Sequence, residues 1–86
     1  MPEISRFYGI TIGMFYADHN PPHLHARCGD FEAVIKIRDF TVLQGYLPPR
    51  ALGMVMEWAV IHNDELLNNW KLISEGKPSV HIDPLI

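Results

Sequence analysis

The chain lacks several features that common protein classes require. It has a single cysteine, Cys28, so it holds neither the paired cysteines of a disulfide framework nor those of a zinc knuckle. No apolar run approaches the roughly 20 residues that span a bilayer, and the N-terminus lacks the basic-then-apolar order of a signal peptide. Internal repeats and low-complexity tracts are also missing. These absences predict a cytoplasmic protein with no membrane segment.

A strong positive charge is missing as well. The formal net charge is −3, from 7 Lys and Arg against 10 Asp and Glu, which argues against binding nucleic acid through overall charge. The composition, 48% hydrophobic and 20% charged over 86 residues, is typical of one small globular domain. We therefore expect a single domain over residues 1–86. A chain of this size buries only about 60–65% of its unfolded surface, so a second subunit would add stability.

The first half of the chain has the alternation of β-strands. The residues Ile10, Ile12, Met14 and Tyr16 alternate with Gly9, Thr11, Gly13 and Phe15, which is the period of a half-buried strand. Further alternating segments follow up to about Leu47. We expect three or four antiparallel strands within roughly residues 7–47.

One hairpin can be assigned a register. Gly29 and Asp30 suit a two-residue turn. The turn pairs apolar residues with each other on one face and mostly polar residues on the other, whereas a slip by one residue would mix the two sets. The predicted inner pairs are Leu24 with Ile35, Ala26 with Ala33, and Cys28 with Phe31; the outer pairs are His23 with Lys36, His25 with Val34, and Arg27 with Glu32. We expect the inner set to be buried against a helix and His23, His25, Arg27 and Lys36 to face outward.

The second half is helical over roughly residues 49–75. Pro48 and Pro49 suit a first helical turn, and Gly76 with Pro78 ends the helical part. One apolar stripe recurs every three or four residues, through Leu52, Val55, Ala59, His62, Leu66, Trp70 and Ile73. Because residues 63–65 could cap a second helix, we expect either one long helix or a helix kinked near His62.

The remaining residues, 77–86, form an extended tail. Val80 and Ile82 alternate with His81 and Asp83, so the tail could add a strand to a sheet edge. The predicted fold class is thus α+β: a three- to four-stranded antiparallel sheet, followed by one long helix or a helix kinked near His62 that packs on one face.

A histidine–proline block is the candidate chemical centre. Three of the five histidines, His19, His23 and His25, fall within seven residues around Pro21 and Pro22. Imidazole suits proton transfer and metal binding near neutral pH, and proline stiffens the segment that carries it. By contrast, His62 lies on the apolar helical stripe and is expected to be a satisfied core residue.

The sequence resembles a bacterial family of small proteins that is catalogued as a domain of unknown function. The resemblance rests on the opening 2–9, the block 19–26, and the segments 47–52, 57–58 and 62–70. Members are often encoded beside a second small uncharacterised protein. The resemblance therefore implies a toxin–antitoxin-like gene pair and a small partner protein. This chain departs from the family by having Ala59 and Val60 where a charged residue is usual, which favours a subunit contact on the helix.

The block supports a metal-site hypothesis. His23 and His25 lie on one side of a strand, roughly 6.5–7 Å apart by strand rise, and His19 or Asp18 could supply a third ligand. Three protein ligands and a water form an open, catalytic metal site. Zinc, nickel or manganese would be the cofactor. Lys36 opposite His23 works against this interpretation, because an ammonium repels a cation.

The same face supports an anion-site hypothesis, which is the favoured one. His23, His25, Arg27 and Lys36, with Arg38 near them, would form a compact basic patch on an acidic protein. RNA or another phosphate-bearing partner could bind there, with His23 or His25 as general acid or base and Arg27 or Lys36 stabilising the charge.

Two further interpretations remain open. Histidines on a solvated strand need no function. Alternatively, the chain is an interaction module, since residues 52–61 are apolar nearly all round and one sheet covers only one side of a helix. We expect a homodimer through the helix and the tail, with Trp58 packed in the core or at an interface.

Overall fold

Five antiparallel strands precede two helices in the computed structural model, which describes residues 2–16 and 19–86. The elements are β1 (Glu3–Phe7), β2 (Ile10–Gly13), β3 (His23–Cys28), β4 (Phe31–Lys36), β5 (Val42–Gly45), α1 (Pro49–Ile61) and α2 (Asn63–Ser74). The strands form one sheet in the order β1-β2-β3-β4-β5. The predicted α+β class, with the helical part following an antiparallel sheet, is confirmed. None of the helices among these residues is long and apolar enough to cross a membrane.

The sheet begins earlier than the sequence predicts. β1 starts at Glu3 rather than near residue 7, which brings the number of strands to five. Its register against β2 shifts between Glu3 and Ser5, and the consecutive residues Ile4 and Ser5 are both buried. A shift of this kind breaks the period-two pattern, so alternation alone does not reveal the strand.

The predicted β3–β4 register is confirmed at all six pairs, from His23 opposite Lys36 to Cys28 opposite Phe31. Gly29 has a φ of +60° in the connecting turn, a conformation that glycine adopts without steric cost. The four central inner residues are fully buried: Leu24, Ala26, Ala33 and Ile35.

The prediction that Phe31 is buried against the helix is wrong. Its side chain is 46% exposed, and Cys28 opposite it is only partly buried. Both residues lie at the turn end of the hairpin. The Phe31 ring packs on Tyr46, with 5.7 Å between the ring centroids, so a neighbour beyond β5 covers part of it.

The helical part is divided at His62, in agreement with the kinked alternative. His62 has φ −108° and ψ 25°, which ends α1 and precedes α2. Asn63 does not cap α2 with its side chain; its amide donates to the Ile37 carbonyl at 2.9 Å. At the C-terminal end of α2, the Gly76 amide donates to the Ile73 carbonyl and the Lys77 amide donates to the Leu72 carbonyl. This is the Schellman arrangement.

Trp58 in α1 is the largest fully buried side chain. Its ring lies 5.3 Å from the Phe7 ring, and its indole N–H donates to the Asp83 carbonyl at 2.8 Å. The core around it contains apolar residues from the sheet, both helices and the tail. Burial of Trp58 agrees with the prediction from the sequence.

The tail lies along the outer edge of β1. The Ile82 amide donates to the Ile4 carbonyl at 2.8 Å, and Ile82 is buried. The Asn69 side chain both donates to and accepts from the Val80 backbone, at 2.8 and 2.7 Å. The tail therefore contacts a sheet edge as predicted, although it forms no regular strand.

Candidate functional site

The candidate site lies on the sheet face opposite the core. We call this surface the outer face; in β3 and β4 it carries His23, His25, Arg27, Glu32, Val34 and Lys36. Pairing places His23 beside Lys36 and Arg27 beside Glu32. The alternation of strand side chains therefore brings the four predicted anion-site residues onto one surface.

His23 is held by the proline segment that precedes it. Its Nδ1 lies 2.7 Å from the Pro21 carbonyl oxygen. A carbonyl can only accept, so Nδ1 carries the proton and donates. The Pro22 carbonyl in turn accepts a hydrogen bond from the Ile37 amide at 3.0 Å. The two prolines thus connect the histidine to the end of β4, which fixes both the ring orientation and the tautomer.

The prediction that His23 faces solvent is wrong. The residue lies on the predicted face but is only 9% exposed. The ring of Trp70 in α2 lies 4.9 Å from the imidazole. His23 is the first residue of β3, and Asn63 of α2 bonds to Ile37 at the same end of the sheet. The sequence predicts Trp70 only as part of an apolar stripe and gives no indication of this contact.

His25 is also largely covered. Its side chain is 12% exposed, with Nδ1 3.7 Å from a Glu32 carboxylate oxygen. The Phe15 ring meets the imidazole edge-on at 4.5 Å, and the His23 ring lies 5.3 Å away. Phe15 belongs to the loop after β2 and was not a predicted site residue. A phenylalanine in an alternating segment carries no signal that distinguishes it from core packing.

Arg27 and Lys36 each have a carboxylate partner. Arg27 donates to Glu32 from Nε at 3.2 Å and from Nη2 at 2.9 Å. The Lys36 ammonium lies 3.5 Å from Asp39. Hydrogen bonds from Thr41, with the charge of Lys36, hold the pKa of Asp39 below its ordinary value. The outer face is therefore balanced in charge rather than strongly basic.

The predicted metal ligands are only partly brought together. His23 and His25 are adjacent, whereas His19 is exposed, and Asp18 lies outside the described residues. Within residues 2–16 and 19–86, no three His, Cys, Asp or Glu side chains are grouped so that they could hold a metal ion. The metal site stays a prediction.

The His62 ring has a hydrogen-bonding partner, as the sequence predicts. Its Nδ1 lies 2.6 Å from a Glu65 carboxylate oxygen, and its side chain is 15% exposed. The Trp58 ring is 5.5 Å away. His62 therefore belongs to the junction between the two helices.

The fold and the site define a small α+β protein with a histidine pair at one end of an antiparallel sheet. A family model described as "Domain of unknown function (DUF4160)" matches residues 9–71. This range is most of the chain, so the protein belongs to that family, as the resemblance implies. Comparison with curated proteins gives no match, and comparison with solved structures gives none either.

Proposed function

We propose that the protein binds single-stranded RNA on the outer face, with the phosphate backbone near His23, His25, Arg27 and Lys36. The observation that carries the proposal is the histidine pair: two adjacent rings, 5.3 Å apart, one of them held in a fixed tautomer. Arg27 and Lys36 lie on the same face at either side of this pair. Imidazole, guanidinium and ammonium groups are all suitable donors to phosphate oxygens.

The carboxylate partners do not prevent such binding. The Arg27–Glu32 pair is exposed, with 57% and 39% of the two side chains accessible. An exposed ion pair contributes only about 0–1 kcal/mol, so a phosphate can replace Glu32 at small cost. The same holds for Asp39 beside Lys36, where the side chains are 54% and 32% accessible.

Aromatic rings next to the pair supply a second element of RNA recognition. Phe15 contacts His25 and is 37% exposed, and its neighbour Tyr16 is 50% exposed. Unpaired bases stack on such rings with little sequence preference. Stacking of this kind favours single strands over duplexes.

Binding is tested by fluorescence anisotropy with a short labelled single-stranded RNA at low and moderate salt. Arg27→Ala and Lys36→Ala should each weaken binding and lower the salt slope, by roughly 0.7 for each lost phosphate contact. Lys77→Ala is the matched control, because Lys77 is also an exposed cation paired with a carboxylate, Glu75 at 3.1 Å. Equal effects of all three substitutions, or no binding by the unmodified protein, would contradict the proposal.

Removing the competing carboxylates should strengthen RNA binding, whereas removing the cations should weaken it. Glu32→Gln and Asp39→Asn should tighten RNA binding, because Arg27 and Lys36 then lose the anions that phosphate must displace. Glu75→Gln removes an exposed carboxylate beside Lys77 and should leave the affinity nearly unchanged. A gain with Glu75→Gln as large as the others would indicate only a response to net charge.

The proposal extends to cleavage, because adjacent imidazoles can move two protons. One imidazole accepts the proton of a ribose 2′-hydroxyl, and that oxygen bonds to phosphorus. The bond from phosphorus to the 5′-oxygen breaks, and this oxygen takes a proton from the other histidine, which acts as an imidazolium and becomes a neutral imidazole. The products are a 2′,3′-cyclic phosphate and a 5′-hydroxyl. His23→Gln and His25→Gln should abolish their formation, while His81→Gln, an exposed tail residue, should not.

One observation favours a second candidate function, the binding of a divalent metal. A ligating histidine commonly donates its other ring N–H to a backbone carbonyl, as His23 does to Pro21. Metal analysis after loading with zinc, nickel or manganese tests this candidate. Stoichiometric metal that His19→Ala, His23→Ala or His25→Ala removes would support it, and negligible metal in the unmodified protein would exclude it.

The proposal also includes a small partner protein, as in a toxin–antitoxin-like pair. A partner that covers the outer face would exclude RNA from it. Co-expression with the neighbouring gene, followed by the same anisotropy assay, should show RNA binding reduced when the partner is present. Unchanged RNA binding by a stable complex would place the partner elsewhere on the protein.

A further inference from the structure

The two edges of the sheet differ in how they are covered. The tail lies along β1, with the Ile82 amide bonded to the Ile4 carbonyl. At the other edge, β5 pairs only with β4, and all four of its residues are exposed. Within the described residues no other segment pairs with the outer edge of β5. The chain therefore covers one edge and leaves the other available.

The available edge is short and irregular: β5 has four residues, and its pairing with β4 shifts register between Val34 and Ile35. Its side chains, however, do not prevent strand pairing. Proteins commonly protect an edge with charged residues or proline. From Val42 to Tyr46 the chain has neither. Leu43 is 46% exposed and Tyr46 is 57% exposed. The strand thus presents backbone hydrogen-bonding groups together with apolar side chains.

An apolar groove continues from this edge onto α1. A cavity of about 530 Å³ lies between β5 and α1, and Val42, Tyr46, Leu47, Leu52 and Met56 are among its lining residues. None of the described residues that line it is charged. Edge and groove form one surface, which we call the β5 surface.

We propose that a second copy of the chain occupies the β5 surface, with β5 paired antiparallel to itself about a two-fold axis. An antiparallel edge is self-complementary under such an axis. The axis also brings each group near its own copy, so an uncharged surface avoids repulsion between like charges. The exposed apolar side chains of one β5 then enter the groove beside Leu52 and Met56 of the other copy.

A contact of standard size would cover a modest share of the molecular surface. A standard interface buries about 800 Å² on each partner. This is about one sixth of the 5053 Å² of accessible surface. A dimer of this kind uses α1 near Leu52 and Met56. It leaves out Val60, where the sequence predicts a contact, and the tail, which already packs on its own chain. The outer faces of the two copies would lie side by side, and the contact would add no cover to the histidine pairs, which are already largely buried.

Sedimentation of matched charge variants tests the proposal. The unmodified protein should sediment as a dimer at micromolar concentration, with twice the 9.9 kDa chain mass. Leu43→Glu should weaken the dimer at least about tenfold, because each new charge meets its copy across the axis. Val60→Glu, also on an exposed apolar residue (61%) but outside the groove, should stay dimeric. Unchanged circular dichroism shows that each variant folds.

A cross-linking measurement locates the axis. In a Cys28→Ser background, Gln44→Cys at the middle of β5 should give covalent dimers with a short bismaleimide, and Asp64→Cys in α2 should not. A monomeric unmodified protein, or a dimer that Val60→Glu disrupts and Leu43→Glu does not, would overturn the proposal. The first result would assign the β5 surface to a different chain.

Discussion

The orientation of His23 depends on two neighbours that sequence patterns treat very differently. Strand alternation places the residue on the outer face, and the carbonyl of Pro21, two residues earlier in the chain, holds its Nδ1. Trp70, 47 positions further on, contributes the ring that covers it. An apolar stripe shows which side of a helix is buried, but not which end of a sheet a given ring will meet. The local part of the site was therefore predictable and the long-range part was not.

Trp58 gives a prediction about stability. Trp58→Ala should lower the free energy of unfolding by about 3–5 kcal/mol, because it removes a large, fully buried side chain. Trp58→Phe also loses the hydrogen bond to Asp83, but it keeps an aromatic ring in the core. It should therefore lower the free energy of unfolding by less. Urea denaturation followed by circular dichroism measures both. Tyr8→Ala, at a residue 63% exposed, is the control. A loss under about 1 kcal/mol for Trp58→Ala would contradict the buried position.

Asp39 gives a prediction about pH. Hydrogen bonds from Thr41, chiefly, and the nearby Lys36 lower its pKa from the ordinary 3.8. Because the folded state holds the proton less tightly than the unfolded state, the stabilisation is complete above 3.8 and is lost as pH falls through the lowered pKa. At neutral pH the unmodified protein should therefore unfold at a higher urea concentration than Asp39→Asn. In strong acid this difference should vanish. A difference that grows in acid would contradict this sign.

Among the elements, β5 depends on a single glycine. Gly45 has a φ of +80°, and a Cβ there would collide with the Glu32 carbonyl oxygen. Gly45→Ala should therefore cost at least about 2 kcal/mol and detach β5 from β4. Gly29→Ala is the matched control, because its φ is +60° but the space around it is open, so only about 1–2 kcal/mol is expected. Similar losses for both variants in urea denaturation would show that the Glu32 contact is unimportant.

The elements were predictable where one local rule governs them. The β3–β4 hairpin has a clean alternation and a two-residue turn, so its register follows from the sequence. The division at His62 was one of two alternatives, because the apolar stripe runs through it and the candidate capping residues lie just after it. β1 was missed because its irregular pairing with β2 places the consecutive residues Ile4 and Ser5 in the interior. Phe31 was assigned to the wrong environment because alternation gives the face of a strand but not the extent of the helix over it.

For the whole molecule, the positions of the charged side chains describe the outer face better than the net charge does. A net charge of −3 does not describe the outer face, where Arg27 and Lys36 each adjoin one carboxylate. The sequence predicts the Arg27–Glu32 pair through the hairpin register, but the Lys36–Asp39 pair depends on the turn after β4. Phe15 and Trp70 complete the surroundings of the histidine pair from two other parts of the chain. We propose that the outer face binds RNA and that the separate β5 surface binds a second copy of the chain.

The most direct test of RNA binding on the outer face is a nuclear magnetic resonance titration of the labelled protein with a short single-stranded RNA. The histidine ring signals of His23 and His25 and the backbone amides of Arg27 and Lys36 should shift with RNA concentration. The signals of His81 and of the β5 surface should stay nearly constant. Shifts confined to the β5 surface, or no shift at any residue of the outer face at saturating RNA, would contradict the proposal.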